Sequence, residues 1–135
     1  METTYTINVI EEHIDRLGHV NYNEYISYSE RAIGDWYQKA GLTPGKMTEK
    51  RIGTVVVKLE VSYLKEALLG DVLKIVTSPK KLGNKSFVIK QDIYNQRDEH
   101  LTEFTKTFVM FDLTTRKGIP VIDEIARHFA KVNTP

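Results

Sequence analysis

Six polar residues with chemical potential crowd into one short stretch: His13, Asp15, Arg16, His19, Asn21 and Asn23. Two of the chain's four histidines are among them. Overlapping the end of this stretch and running past it, Tyr22, Tyr25, Ile26, Ser29, Ile33, Trp36, Tyr37 and Ala40 recur at steps of three and four. That spacing is the stripe of an amphipathic helix about five turns long. A helix start leaves backbone N–H groups without partners and carries the positive end of the helix dipole. An acid a few residues upstream can face the same small volume. There the N–H groups polarise a carbonyl while the carboxylate attacks it or activates water, which is acyl-transfer chemistry.

Taken singly, each residue also has a plainer role. Asp15 reads as a loop or capping residue, His19 as a backbone hydrogen-bonding partner and Asn21 as a helix cap. Trp36 and the tyrosines of the stripe read as core. His13, Asp15 and His19 match a two-histidine, one-carboxylate metal set in composition, but their spacing is not that of a helical HExxH pair, and no metal is expected. The sequence has no G-x-S-x-G elbow, no GxGxxG and no GxxxxGK[ST], so neither the α/β-hydrolase nor the common nucleotide folds find support.

The elements that must position this cluster follow from periodicity. Thr4–Ile10 is rich in β-branched residues and predicts a first strand. Asn21 or Asn23 can cap the long helix and Gly41 can end it. Arg31 with Asp35, and Asp35 with Lys39, are spaced as ion pairs on its wet face. Beyond it, Val55, Val57, Leu59, Val61 and Tyr63 alternate with polar residues, a strand with one buried face. Further strands are expected at Val72–Ser78, Ser86–Asn95 and Glu99–Leu113, separated by Gly70-Asp71, Gly83-Asn84 and a turn near Asn95. Lys117-Gly118 marks the end of the last, and Ile122–Val132 reads as a short terminal helix. Turns this short favour antiparallel neighbours, so one long helix lies on an antiparallel sheet of about five strands, an α+β architecture. Phe104, Phe108 and Met110 share one face of their strand, and Val109, Phe111 and Leu113 the other. Two apolar faces on one strand predict a second subunit.

The bulk properties fit one domain spanning residues 1–135. Hydrophobic residues are 41% and charged residues 27% of the chain, which excludes disorder. Basic and acidic residues nearly balance, 19 against 18, which excludes the charge footprint of a nucleic-acid wrapper. There are no cysteines, and hence no disulfide, thiolate zinc site or cysteine nucleophile. No signal-like segment or run of about 20 apolar residues is visible, and a soluble cytoplasmic protein is expected.

Asp15-Arg16-Leu17-Gly18-His19-Val20-Asn21-Tyr22-Asn23-Glu24-Tyr25 resembles the D-x-x-G-H-V-N-N-x-x-Y signature of hotdog-fold acyl-CoA thioesterases of the 4-hydroxybenzoyl-CoA thioesterase type. Tyr25–Glu30 resembles that family's Y-hydrophobic-x-x-x-E helix start, Val61–Leu64 with Gly70-Asp71 its V-x-Y-L…G-D strand and turn, and Lys85-Ser86-Phe87 the opening of its next strand. The resemblance implies a hotdog fold, hydrolysis of an acyl-CoA thioester to free acid and coenzyme A, no cofactor beyond the coenzyme A of the substrate, and a homodimer or homotetramer with the site between subunits. It implies Asp15 as nucleophile or general base, the backbone N–H near Tyr22 as donor to the thioester oxygen, and His19 and Asn21 as residues shaping the turn. Lys85 matches a basic position that meets coenzyme A phosphates in relatives, with Lys81 or Lys80 beside it, although Lys80 and Lys81 read equally as a solvated turn. His13 stands where many relatives carry a second acid, and Tyr22 replaces the motif's second Asn. A hotdog hydratase or dehydratase, and a non-catalytic acyl-CoA binding module, are the alternatives.

Overall fold

A computed structural model describes residues 1–129. The amphipathic stripe forms helix α1, Tyr22–Lys39, with Asn21 as its N-cap: the Asn21 side chain accepts the Asn23 N–H at 3.0 Å. The strands are β1 (Thr3–Asn8), β2 (Ile52–Tyr63), β3 (Val72–Leu82), β4 (Ser86–Tyr94), β5 (His100–Asp112) and the two-residue β6 (Lys117–Gly118). They make one antiparallel sheet in the order β1-β3-β4-β5-β2, with β6 paired to the end of β5. The sheet curls around α1, which is the hotdog fold.

The helix buries Tyr25, Tyr28, Ser29, Ala32, Ile33 and Trp36 on the concave face. One core cluster joins Tyr25, Tyr28 and Ala32 to Ile7, Leu73, Ile75, Ile93, Leu101 and Phe104. A second joins Ile33 and Trp36 to Phe87, Ile89, Phe108 and Met110. Each such side chain contributes about 1.5–3 kcal/mol by leaving water. Between the clusters lies a fully buried polar bridge. The Ser29 hydroxyl donates to Gln91 Oε1, and Gln91 Nε2 donates to the Ser29 carbonyl at 3.1 Å and to Thr77 Oγ1 at 3.0 Å.

Several sequence expectations need correction. The first strand ends at Asn8 rather than Ile10, because a 3-10 turn at Glu11–His13 follows. The third runs to Leu82 through Pro79, where a register shift before Lys81 accommodates the missing proline N–H. A short helix, α2 (Pro44–Glu49), fills what reads as loop, and Lys117-Gly118 pairs as a strand rather than only turning. Asp35 and Lys39 pair at 2.8 Å, whereas Arg31 lies over the Tyr5 ring. The terminal helix is α3, Asp123–Ala126; the rest of the expected stretch, from residue 130, lies outside the described residues.

The largest correction concerns β2. Its register shifts between Val56 and Lys58, a bulge at Val57. A bulge inserts one residue and reverses which face the following side chains take. Val55 therefore pairs with Val109 on the outer face, while Leu59, Val61 and Tyr63 pair with Lys106, Phe104 and Thr102 on the helix face. The five residues do not share one buried face. Val55, Val56, Val57, Leu59 and Tyr63 are all exposed, on an edge strand. On β5, Phe104, Phe108 and Met110 are buried while Val109 and Phe111 are half-buried, with Arg116 over the Phe111 ring. Among the described residues, exposed apolar side chains line the β2 edge, whereas on the back of β5 Val109 and Phe111 are half-buried and Leu113 is exposed.

Gly34 lies in the interior of α1, and a Cβ there would meet nothing within 4 Å. Gly34→Ala is expected to raise stability by about 0.5–1 kcal/mol, read from the midpoint of urea unfolding.

Candidate active site

The cluster of the sequence is a small hairpin in front of α1. Ile14 and Val20 form an isolated antiparallel bridge, and the Asp15 N–H donates to the His19 carbonyl at 3.0 Å. Asp15 Oδ1 accepts the Leu17 N–H at 2.8 Å, and the Gly18 N–H donates to the Asp15 carbonyl at 3.1 Å. Gly18 sits at φ +85°, a conformation that suits only glycine without strain. The capping role and the chemical role of Asp15 are thus compatible: one carboxylate oxygen closes the turn, and the residue stays half-buried at the mouth of the helix.

Two contacts tie the hairpin to the fold. The Asn21 N–H donates to the His13 carbonyl at 3.2 Å, and the Val20 N–H to the Ala67 carbonyl at 3.3 Å. Ala67 also gives its own N–H to Tyr25 Oη at 2.9 Å, and burial pushes the Tyr25 phenol above its ordinary pKa. The loop after β2 is therefore part of the site. It is braced by the buried Asp71, whose carboxylate accepts from the Leu68 N–H at 2.9 Å and from Gln96 Nε2 at 3.0 Å.

These elements enclose a depression of about 420 Å³ lined by Asp15, Leu17, His19, Val20, Tyr22, Tyr25, Tyr63, Leu64, Lys65 and Glu66. A second depression is lined by Ile14, Asp15, Arg16, Leu17 and Asn21. Asp15 belongs to both. At α1's start the Asn23 N–H is taken by the Asn21 side chain and the Glu24 N–H by its carbonyl. The Tyr22 N–H meets no acceptor among the described residues, and the Tyr22 side chain is 62% exposed. His19 Nδ1 lies 3.5 Å from the Val20 carbonyl, so its ring is oriented along the turn.

Asp15, His19 and Tyr22 are thus brought together, with Asn21 beneath them as cap. His13 is turned away: the Ile10 N–H points to its Nδ1 at 3.4 Å, and the Tyr28 hydroxyl lies 2.8 Å from the same atom. An N–H only donates, so Nδ1 accepts and the Tyr28 hydroxyl donates to it. Among the described residues, no three His, Asp or Glu side chains converge as a metal set.

Lys85 and Lys81 are not brought to Asp15 within this chain. Lys85 is in the exposed β3–β4 turn, its carbonyl accepting the Met110 N–H, and Lys81 pairs with Val88. Leu101, beside the site loop, and Met110, beside Lys85, are nine residues apart on β5, about 30 Å of strand. Spacing alone does not mark Tyr63, Leu64, Lys65 and Glu66 as site residues. They reach the site through the long-range Ala67 contacts, and the signal for Tyr63 lay in the V-x-Y-L resemblance.

Comparison with known proteins fits this geometry. Residues 9–129 match the family model described as the thioesterase-like superfamily. The chain belongs to that superfamily. It is 30% identical over 120 residues to the long-chain acyl-CoA thioesterase FadM of Escherichia coli (strain K12), covering 88% of this chain and 90% of the relative. It is 32% identical over 104 residues to the acyl-CoA thioesterase YbgC of Helicobacter pylori, covering 76% and 74%. Among solved structures, a 1,4-dihydroxy-2-naphthoyl-CoA thioesterase from Synechocystis superposes with a TM-score of 0.88 at 18% identity over 100% of both chains. A 4-hydroxybenzoyl CoA thioesterase variant, complexed with 4-hydroxybenzoyl CoA, superposes with a TM-score of 0.86 at 23% identity over 95% of this chain and 99% of that one. These superpositions bear on the fold. No described helix is long and apolar enough to cross a membrane.

Asn21→Ala removes the cap of α1 and is expected to cost about 1 kcal/mol of stability. The loss should appear as a lower midpoint of chemical unfolding with the cooperativity unchanged.

Proposed function

We propose that this protein is a cytoplasmic acyl-CoA thioesterase that hydrolyses an acyl-CoA thioester to free acid and coenzyme A, with Asp15 as the reacting carboxylate. The observation carrying the reading is that Asp15 and the open Tyr22 N–H flank one depression. A thioester oxygen at the start of α1 accepts that N–H and sits at the positive end of the helix dipole, where the developing oxyanion is stabilised. Asp15 either attacks the carbonyl carbon, expelling the coenzyme A thiolate and leaving an anhydride that water opens, or takes a proton from water as it attacks. Either route breaks the C–S bond, forms a C–O bond and gives the proton to the thiolate. No metal or prosthetic group takes part. The sequence relatives named as acyl-CoA thioesterases support the reading. The 4-hydroxybenzoyl type is one aryl substrate within this class.

The test is Asp15→Asn, which keeps the shape and the turn-closing oxygen but neither attacks nor accepts the proton. Its kcat is expected to fall by about 10²–10⁴ with the fold intact. A variant within threefold of wild type removes Asp15 from the mechanism.

The β2 edge supports a homodimer with shared sites, which can pair again into a tetramer. β2 runs from Ile52, at the Lys85 end of the sheet, to Tyr63, at the Asp15 end. Two copies pairing these edges antiparallel across a two-fold place the Lys85 end of one beside the Asp15 of the other. In that arrangement Lys85, with Lys81, faces the phosphates of a coenzyme A bound at the neighbouring site. Val55→Lys with Val57→Lys is expected to convert the oligomer to monomer by sedimentation velocity and to lower kcat/KM by about tenfold or more, because unpaired like charges face each other on the edge.

A further inference from the structure

One charged group is buried where the fold does not call for it. Lys106 lies on the helix-facing side of β5, between Phe104 and Phe108, and its side chain is 1% exposed. Its ammonium donates to Glu30 Oε1 at 2.6 Å and stands 5.7 Å from the centre of the Phe104 ring. An ammonium has three donors, and among the described residues Glu30 takes only one. Burial lowers the lysine's pKa, against the upward pull of Glu30. A buried ion pair is often no more stabilising than apolar side chains of similar volume, so stability alone gives no reason for it.

Its position gives one. α1 and β2 run side by side, pinned at two points: Tyr63 Oη donates to the Tyr22 carbonyl at 3.4 Å, and Tyr37 Oη lies 2.8 Å from Thr54 Oγ1. The seam between these points starts at the reactive depression, where the Tyr25 and Tyr63 rings meet edge to face at 5.5 Å. It continues between Ile26 and Val61, both only partly buried against the core. It then reaches Leu59, which is 42% exposed and is the cross-strand partner of Lys106. Glu30, 58% exposed, forms the helix side at this point. The seam is therefore apolar along its length and charged at its end.

We propose that the Lys106–Glu30 pair is a polar stop at the far end of the acyl groove, restricting this enzyme to acyl groups of up to about ten carbons. Two measures of length agree. Tyr22 to Glu30 is eight residues of helix, about 12 Å. Tyr63 to Leu59 is four residues of strand, about 13 Å. An extended chain advances about 1.2 Å per bond, so roughly ten bonds separate a carbonyl at the Tyr22 N–H from the ion pair. A longer chain presses a methyl end against the ion pair, displacing Glu30 and leaving the ammonium without its acceptor. The stop discriminates by penalising the wrong substrate rather than by gripping the right one.

This inference rests on the thioesterase reading, and one experiment separates the two. It measures kcat/KM for straight-chain acyl-CoAs from hexanoyl to hexadecanoyl, with wild type and with Lys106→Met, melting temperature verifying the fold of the variant. Methionine is unbranched, similar in length and uncharged, and it leaves Glu30 in water. Wild type is expected to fall by about tenfold or more between decanoyl-CoA and hexadecanoyl-CoA, and Lys106→Met to recover most of that ratio. Equal wild-type rates for the two substrates overturn the stop, as does a folded Lys106→Met with the wild-type ratio. Should the variant not fold, the wild-type profile alone decides. Wild type inactive on the whole series but active on 4-hydroxybenzoyl-CoA overturns the stop alone, whereas wild type inactive on both overturns the thioesterase reading and takes the stop with it.

Discussion

The placement of α1 on the sheet is fixed by a polar contact at a point where apolar packing could slide. Hydrophobic burial is non-directional, and an aromatic stripe on a curled sheet has more than one comfortable register. Gln91 removes that freedom. It reaches from β4 to both the hydroxyl and the carbonyl of Ser29 on the helix and ties the same amide to Thr77 on β3. Because Ser29, Thr77 and Gln91 are all fully buried, breaking this bridge leaves several donors and acceptors unpaired at once, at about 1–3 kcal/mol for each. A helix sliding by one turn would move its first free N–H by about 5 Å. The chemistry proposed here tolerates far less, so the reacting end of the helix depends on a bond at its middle.

The β2 edge of the sheet is shaped by its bulge. An exposed edge strand is an invitation to pair, which proteins suppress with bulges, charges or short strands. β2 is long and carries three consecutive valines, yet the bulge at Val57 and the Lys58–Glu60 pair at 2.9 Å interrupt it. Such an edge resists indiscriminate strand addition while presenting an irregular shape that a copy of itself can match. The same bulge rotates Leu59, Val61 and Tyr63 onto the helix side. One inserted residue therefore shapes both the outer edge and the wall of the groove.

The parts of the fold governed by local period were legible in the sequence. The helix was readable because its apolar spacing and the Asn21 cap agree, and β4 because Phe87, Ile89 and Ile93 alternate cleanly. The phase of β2 is not legible, because Val55-Val56-Val57 is β-branched throughout and nothing marks where the alternation flips. The turn of the site was legible in Asp15, Gly18, His19 and Asn21. Its far wall was not, since Ala67 reaches Val20 and Tyr25 only through contacts more than forty residues apart. Lys106 was legible in principle, because parity with Phe104, Phe108 and Met110 puts it inside. A lysine between threonines reads as a solvent-facing residue, and only the structure shows Glu30 waiting for it.

The site joins a soft component to a stiff one. The Asp15 hairpin is a surface turn, yet it is clamped by the His13 and Ala67 carbonyls. The two clamps lead to different parts of the scaffold: His13 to Tyr28 in the helix, and Ala67 to the loop braced by Asp71. Loops can carry chemistry when a rigid frame sets where they sit. Here the frame sets the carboxylate and the helix start on the lining of one depression. The separation of acid and donor is held by the turn that Asp15 closes on itself and by the bonds of the neighbouring Val20 and Asn21 N–H groups to the scaffold.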